Sequence, residues 1–193
     1  AMALDLLSIG LSELSSISER RIDKLMNPIF SDLPAFLTGS KHEGLHSGMM
    51  ILHYTAASLV SENKSAAHPA VLDSIPTSND KEDHVSMGAT SARHATKIYD
   101  NARWVSAAEL VAAAQGLEFH QGLKPGNGVE AAYTKVRSAV KPLVEDRSLT
   151  KDVENIVELI KDGTLLNTVL SRLEEPNLCL LYTSPSPRDT VRS

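Results

Sequence analysis

The chain has 193 residues, carries a net charge of −5 and has a pI near 5.8, with Lys and Arg outnumbered by Asp and Glu. That balance, with no clustered Lys/Arg, excludes a nucleic-acid surface or an anionic-membrane surface as the main partner and favours a soluble protein acting on small molecules or protein partners. The single cysteine, Cys179, excludes an internal disulfide; no apolar run reaches the ~20 residues of a membrane span, and with no signal-peptide pattern the cytoplasm is the expected compartment.

Aromatic residues make up only 4% of the chain. Ala, Leu, Ser, Glu and Lys are plentiful and β-branched alternation is scarce, so an all-α fold with an aliphatic core is expected. The first helix shows Leu4, Leu7, Leu11, Leu14 and Ile17 at spacings of three and four. Its start at Ala1-Met2-Ala3 has no capping residue, which reads as the interior of a longer gene's helix, and Asn27-Pro28 ends it. After a loop with Pro34, Gly39 and Gly44, a second helix is expected from Leu45 to about Lys64. Leu45, Met49, Leu52, Ala56 and Leu59 lie on one stripe, and Met50, Tyr54, Ala57 and Val60 on another. Two apolar stripes imply burial between neighbours.

Residues 65–78, with Pro69 and Pro76, read as an extended connection. A third helix is expected to begin at Asn79 or Asp80 and run to Gly116, with Val85, Ala89, Ala92, Tyr99, Ala102 and Val105 on one face. It would be roughly 50 Å long, which calls for a bundle or an oligomer core. Two shorter helices follow. One carries Val129, Tyr133, Val136 and Val140; the other carries Val153, Ile156, Val157 and Ile160, capped by Thr150 and ended by Gly163. From about Leu178 the chain loses all periodicity, so residues 1–177 form the helical portion and 178–193 a tail that reads as disordered or artefactual.

The chemical candidates centre on Pro76 to Gly88, which packs Asp80, Lys81, Glu82, Asp83 and His84 into the handover from loop to helix. From spacing alone, Asn79 and Glu82 form an N-cap and N3 pair, the capping box, and Asp83 complements the helix dipole. The histidines at 42, 46, 53, 68, 84, 94 and 120 form no metal-binding pattern, so no metal site is expected. No GxSxG elbow or phosphate loop occurs, and Ser18-Glu19-Arg20-Arg21 reads as a solvated helix face with local ion pairs.

Taken together, several blocks change the weighting. They are Ser18-Glu19-Arg20-Arg21-Ile22-Asp23, Gly44-Leu45-His46-Ser47-Gly48-Met49-Met50, Thr55-Ala56-Ala57-Ser58, Ser61-Glu62-Asn63-Lys64, His68-Pro69, Asp73-Ser74-Ile75-Pro76-Thr77-Ser78, Glu82-Asp83-His84-Val85-Ser86-Met87 and Gln115-Gly116-Leu117-Glu118-Phe119. Their collinear order over roughly the first 165 residues resembles the C-terminal third of the aromatic amino acid ammonia-lyases, most closely the histidine ammonia-lyases.

The resemblance implies a long-helix bundle of the fumarase/aspartase-like architecture, a homotetramer with active sites where subunits meet, and a small amino acid substrate. It also implies non-oxidative loss of ammonia through a 4-methylidene-imidazol-5-one group made from an internal Ala-Ser-Gly. Glu82 matches an active-site position that is glutamate in histidine lyases and glutamine in plant phenylalanine lyases, and this catalytic reading overtakes the cap. No Ala-Ser-Gly occurs in the chain, and the family's tyrosine base and carboxylate-binding arginine have no counterparts here. His46 stands where the family often has asparagine, and the tail resembles translated adapter read-through. The expectation is therefore a C-terminal fragment of a histidine ammonia-lyase-like enzyme, inactive by itself. A tyrosine or phenylalanine lyase or aminomutase fragment, or a non-catalytic helical oligomerisation module, remains open.

Overall fold

The computed structural model describes residues 1–39, 44–120 and 122–173; His42, Cys179 and the boundary expected at residue 177 lie outside them. Among the described residues the chain is helical: α1 (Met2–Met26), α2 (Pro28–Ser31), α3 (Met50–Ala66), α4 (Gly88–Leu117), α5 (Asn127–Ala139), α6 (Thr150–Lys161) and α7 (Thr164–Leu170). α4 is the spine. α1 and α3 pack on it, α6 packs on it as well, and α5 and α7 pair with each other. The core gathers Ile22, Met26, Leu52, Val60, Val105, Val111, Val136 and Ile156.

The first helix ends where Asn27-Pro28 demands, with Asn27 extended and its side chain capping α2 through the Ile29 N–H. Its buried face differs from the expected leucine stripe. Ser8, Ser12, Ser15 and Ser18 face inward with Ile22 and Met26, while Leu7, Leu14 and Ile17 are about half exposed. Each of the first three serines donates its hydroxyl to the carbonyl four residues earlier, at 2.9, 2.8 and 2.7 Å. With their hydroxyls folded back, serines are small enough to let helices approach closely, and that contact leaves the larger aliphatic face uncovered.

α3 begins at Met50 rather than Leu45, and Leu45 is exposed in a turn. The reason lies a hundred residues away. Asp146 accepts hydrogen bonds from the backbone N–H groups of Ser47 (2.7 Å) and Gly48 (2.9 Å), and its own N–H reaches His46 Nδ1 at 3.3 Å. Gly48 sits at φ 56°, where a Cβ would fall 2.5 Å from the Phe36 carbonyl oxygen, so only glycine fits this entry. Thr150 does not cap α6: Leu149 is the N-cap and Thr150 opens the first turn, its hydroxyl met by Ser148 at 3.4 Å. Gly163, at φ 75°, separates α6 from α7, as expected of a C-terminal glycine.

Several carboxyls are held below their usual range by these contacts. Asp146 is lowered by the Ser47 N–H first, Asp162 by the Thr164 N–H, and Glu19 by Arg20. A carboxyl with a depressed folded-state pKa stabilises the fold above its unfolded pKa, and that contribution disappears as pH falls through the folded value. The melting temperature is therefore expected to be level near neutrality and to fall below about pH 4. Asp146→Asn should flatten part of that fall; thermal melts of the two proteins across pH 3–7 provide the check.

Candidate active site

The third helix does not begin at Asn79 or Asp80. Ser78, Asn79 and Asp80 all take left-handed backbone conformations, with φ of 55°, 54° and 62°, and the chain turns back so that Thr77 and Glu82 pair as an isolated antiparallel bridge. The Thr77 N–H donates to the Glu82 carbonyl at 2.9 Å and the Glu82 N–H to the Thr77 carbonyl at 3.3 Å. Asn and Asp tolerate this conformation because their short polar side chains compete with helical bonding. The capping box therefore does not form. α4 starts only after Met87, itself at φ 51°, whose carbonyl takes the Thr90 and Ser91 N–H groups.

Glu82 is thus a rung of a tight reverse turn rather than a helical residue. It is exposed, as are Lys81, Asp83 and His84, and its carboxylate enters no hydrogen bond or ion pair among the described residues. A cavity of about 450 Å³, lined by Ile51, Leu59, Trp104, Asp146 and Val153 among others, lies elsewhere and does not include Glu82. Glu82 is presented on an exposed turn, its main chain fixed and its carboxylate unengaged among the described residues. An ionised carboxylate of this kind is an acceptor for an imidazole N–H, an ammonium group or a proton.

The loop bearing Glu82 is tied to the helices at two points. Ser74 accepts the Val85 N–H on its Oγ at 2.9 Å, and Asp5 of α1, 4% exposed, accepts the Val71 N–H at 3.0 Å. Burial, the largest single influence, favours the neutral form of Asp5, but hydrogen bonds from the Val71 N–H, Ser91 and the Ala70 N–H together outweigh it and hold the carboxyl below the usual range.

Ser18-Glu19-Arg20-Arg21 is only partly the solvated face that its composition implies. Glu19 is 4% exposed, grips Arg20 through two hydrogen bonds at 2.6 and 2.5 Å, and meets His53 Nε2 of α3 at 2.7 Å. Arg21 crosses to Glu109 of α4, with one bond at 2.9 Å. Helical spacing hides such a buried carboxylate because both partners lie off the local face, one of them on a different helix. A second polar group, Tyr133, Glu118 and Arg137, joins α5 to the end of α4. Tyr133 donates to Glu118 at 2.6 Å, and that bond raises the phenol above its ordinary pKa.

An all-α assembly built on one long central helix, with an acidic reverse turn at that helix's N-terminal end, defines the class. The family model for aromatic amino acid lyases matches residues 1–138, and the chain belongs to that family. It is 53% identical over 165 residues to the histidine ammonia-lyase of Caldanaerobacter subterraneus subsp. tengcongensis, covering 86% of this chain and 32% of that protein. It is also 53% identical over 169 residues to the histidine ammonia-lyase of Symbiobacterium thermophilum, covering 88% and 33%.

Among solved structures, histidine ammonia-lyase from Trypanosoma cruzi superposes with a TM-score of 0.85 at 48% identity, over 90% of this chain and 34% of that one. Tyrosine aminomutase from Streptomyces globisporus gives 0.83 at 34% identity, over 90% and 33%. The all-α aromatic lyase fold is shared, and the chain spans about a third of the length of the relatives it matches.

Proposed function

We propose that this chain is the portion of a histidine ammonia-lyase that supplies Glu82 to a site completed by residues from elsewhere in the protein. The whole enzyme would convert L-histidine to urocanate and ammonia. The observation that carries this reading is the identity of about half to curated histidine ammonia-lyases, over matches long enough to span the acidic turn. The lower identity to the tyrosine aminomutase, 34%, makes an aminomutase the weaker reading.

Glu82 has a definite part in that chemistry. The substrate's α-ammonium must lose a proton before it can act as a nucleophile, and a carboxylate within reach can accept that proton or the imidazole N–H that marks the substrate as histidine. The family's electrophile, the methylidene-imidazolone, supplies amine capture when present, but its Ala-Ser-Gly precursor does not occur in these residues. The residues here do not fit its formation, and this chain alone is proposed to be catalytically silent. The half-exposed leucines of α1 support assembly with further helices, a homotetramer in the whole enzyme, because an apolar face of that extent is costly in water.

The test is the complete reading frame, expressed and assayed with L-histidine, L-tyrosine and L-phenylalanine. Urocanate from L-histidine is the expected product, with Ala-Ser-Gly encoded upstream. A frame without Ala-Ser-Gly, or turnover confined to tyrosine or phenylalanine, would overturn the assignment.

A further inference from the structure

Resting on the reading of Glu82 as a catalytic carboxylate, we propose that Ser74 is its positioning residue: the Ser74 hydroxyl closes the neck of the loop that carries Glu82, and Asp5 anchors that neck to α1. The loop from Ser74 to Val85 is exposed along nearly all its length, so its shape must come from bonds within it. At the tip the Lys81 N–H donates to the Ser78 carbonyl at 3.3 Å, and two further links lie below it. The Thr77 and Glu82 main chains pair inside the loop, and Ser74 Oγ accepts the Val85 N–H at its base, joining residues eleven apart in sequence.

Three consecutive non-glycine residues at positive φ stand between the strands of this turn. Such conformations are disfavoured and persist only where surrounding bonds hold them. Removing the neck bond leaves, among the described residues, only main-chain bonds to hold the turn against that strain: the Thr77–Glu82 pair and the Lys81 N–H on the Ser78 carbonyl. The neck is itself mounted rigidly. Val71, three residues before Ser74, gives its N–H to the buried Asp5 carboxylate, and Ala70 beside it is 1% exposed. On the other side, Val85 leads within three residues into α4. Ser74 therefore couples the two helices α1 and α4 to the backbone of Glu82 without approaching the reacting atoms itself.

A positioning role differs from a general stabilising one in whom it serves. If Ser74 acts through Glu82, its loss matters only while Glu82 is present. Ser74→Ala in the 193-residue chain is expected to speed hydrogen exchange at the Val85 amide about tenfold, the factor for one lost hydrogen bond of this kind, with α4 interior amides unchanged. In the complete enzyme, Ser74→Ala should lower turnover by a similar factor of about ten. Ser74→Thr, which keeps the hydroxyl, should restore it. In a Glu82→Gln background, Ser74→Ala should cost nothing further.

An equal loss in both backgrounds, or unchanged Val85 exchange, would overturn the positioning role. A neutral Glu82→Gln would instead overturn the catalytic reading of Glu82, and the exchange measurement would still decide whether Ser74 holds the loop.

Discussion

Replacing Glu82 by glutamine in the complete enzyme is expected to lower kcat for L-histidine by about two orders of magnitude, with the helix content and oligomeric state unchanged. Glutamine keeps the shape and one acceptor oxygen but cannot take a proton, so the substitution separates hydrogen bonding from proton acceptance. General-base contributions of positioned carboxylates fall in the range of about 10²–10⁴. Glu82→Ala, which also removes the hydrogen bond, should add a rise in KM to the fall in kcat. Because Glu82 is exposed and its side chain makes no hydrogen bond or ion pair among the described residues, neither change should disturb folding. Turnover equal to that of the parent would return Glu82 to a purely structural part in the turn with Thr77.

The largest stability effect should come from Gln115, at the opposite end of α4. Gln115 is 2% exposed and uses both ends of its amide. Its Oε1 accepts the Leu143 N–H at 3.0 Å and Arg137 at 3.3 Å, while its Nε2 donates to the Leu143 carbonyl at 3.0 Å and the Leu37 carbonyl at 3.4 Å. Gln115→Leu strands a buried N–H and two buried carbonyls. At about 1–3 kcal/mol for each unsatisfied group, the loss should reach about 3 kcal/mol or more, and it is read from denaturant unfolding of both proteins. Gln115→Glu should also destabilise, since a carboxylate offers the two carbonyls no donor.

The helical class, the end of α1 at Asn27-Pro28, the junction at Gly163 and the family itself were legible in the residues, because proline, glycine and collinear motifs act locally or by identity. The start of α4 was not. Asn79 and Glu82 have the spacing of a capping box, but three left-handed residues and the bridge to Thr77 make a turn of the same stretch. Which face of α1 is buried was also hidden. Leucine periodicity marks an apolar face but does not say which neighbour covers it, and the serine face won the contact inside this chain by being small. The depth of Glu19 and the reach of Asp146 depend on partners 34 and about a hundred residues away, beyond any local pattern. The proposal for Glu82 rests on resemblance, and the reverse turn that carries it became visible only in the structure.

α4 runs unbroken for 30 residues, which at ~1.5 Å per residue places its ends roughly 45 Å apart. The acidic turn stands at one end, and the Gln115 lock closes the other. Substitutions at the two ends share no partners, so their free energies should add. Selection can therefore change the turn while leaving the lock untouched, and repairs at the lock can offset destabilising novelty at the turn. A long rod of this kind makes evolvability a matter of distance.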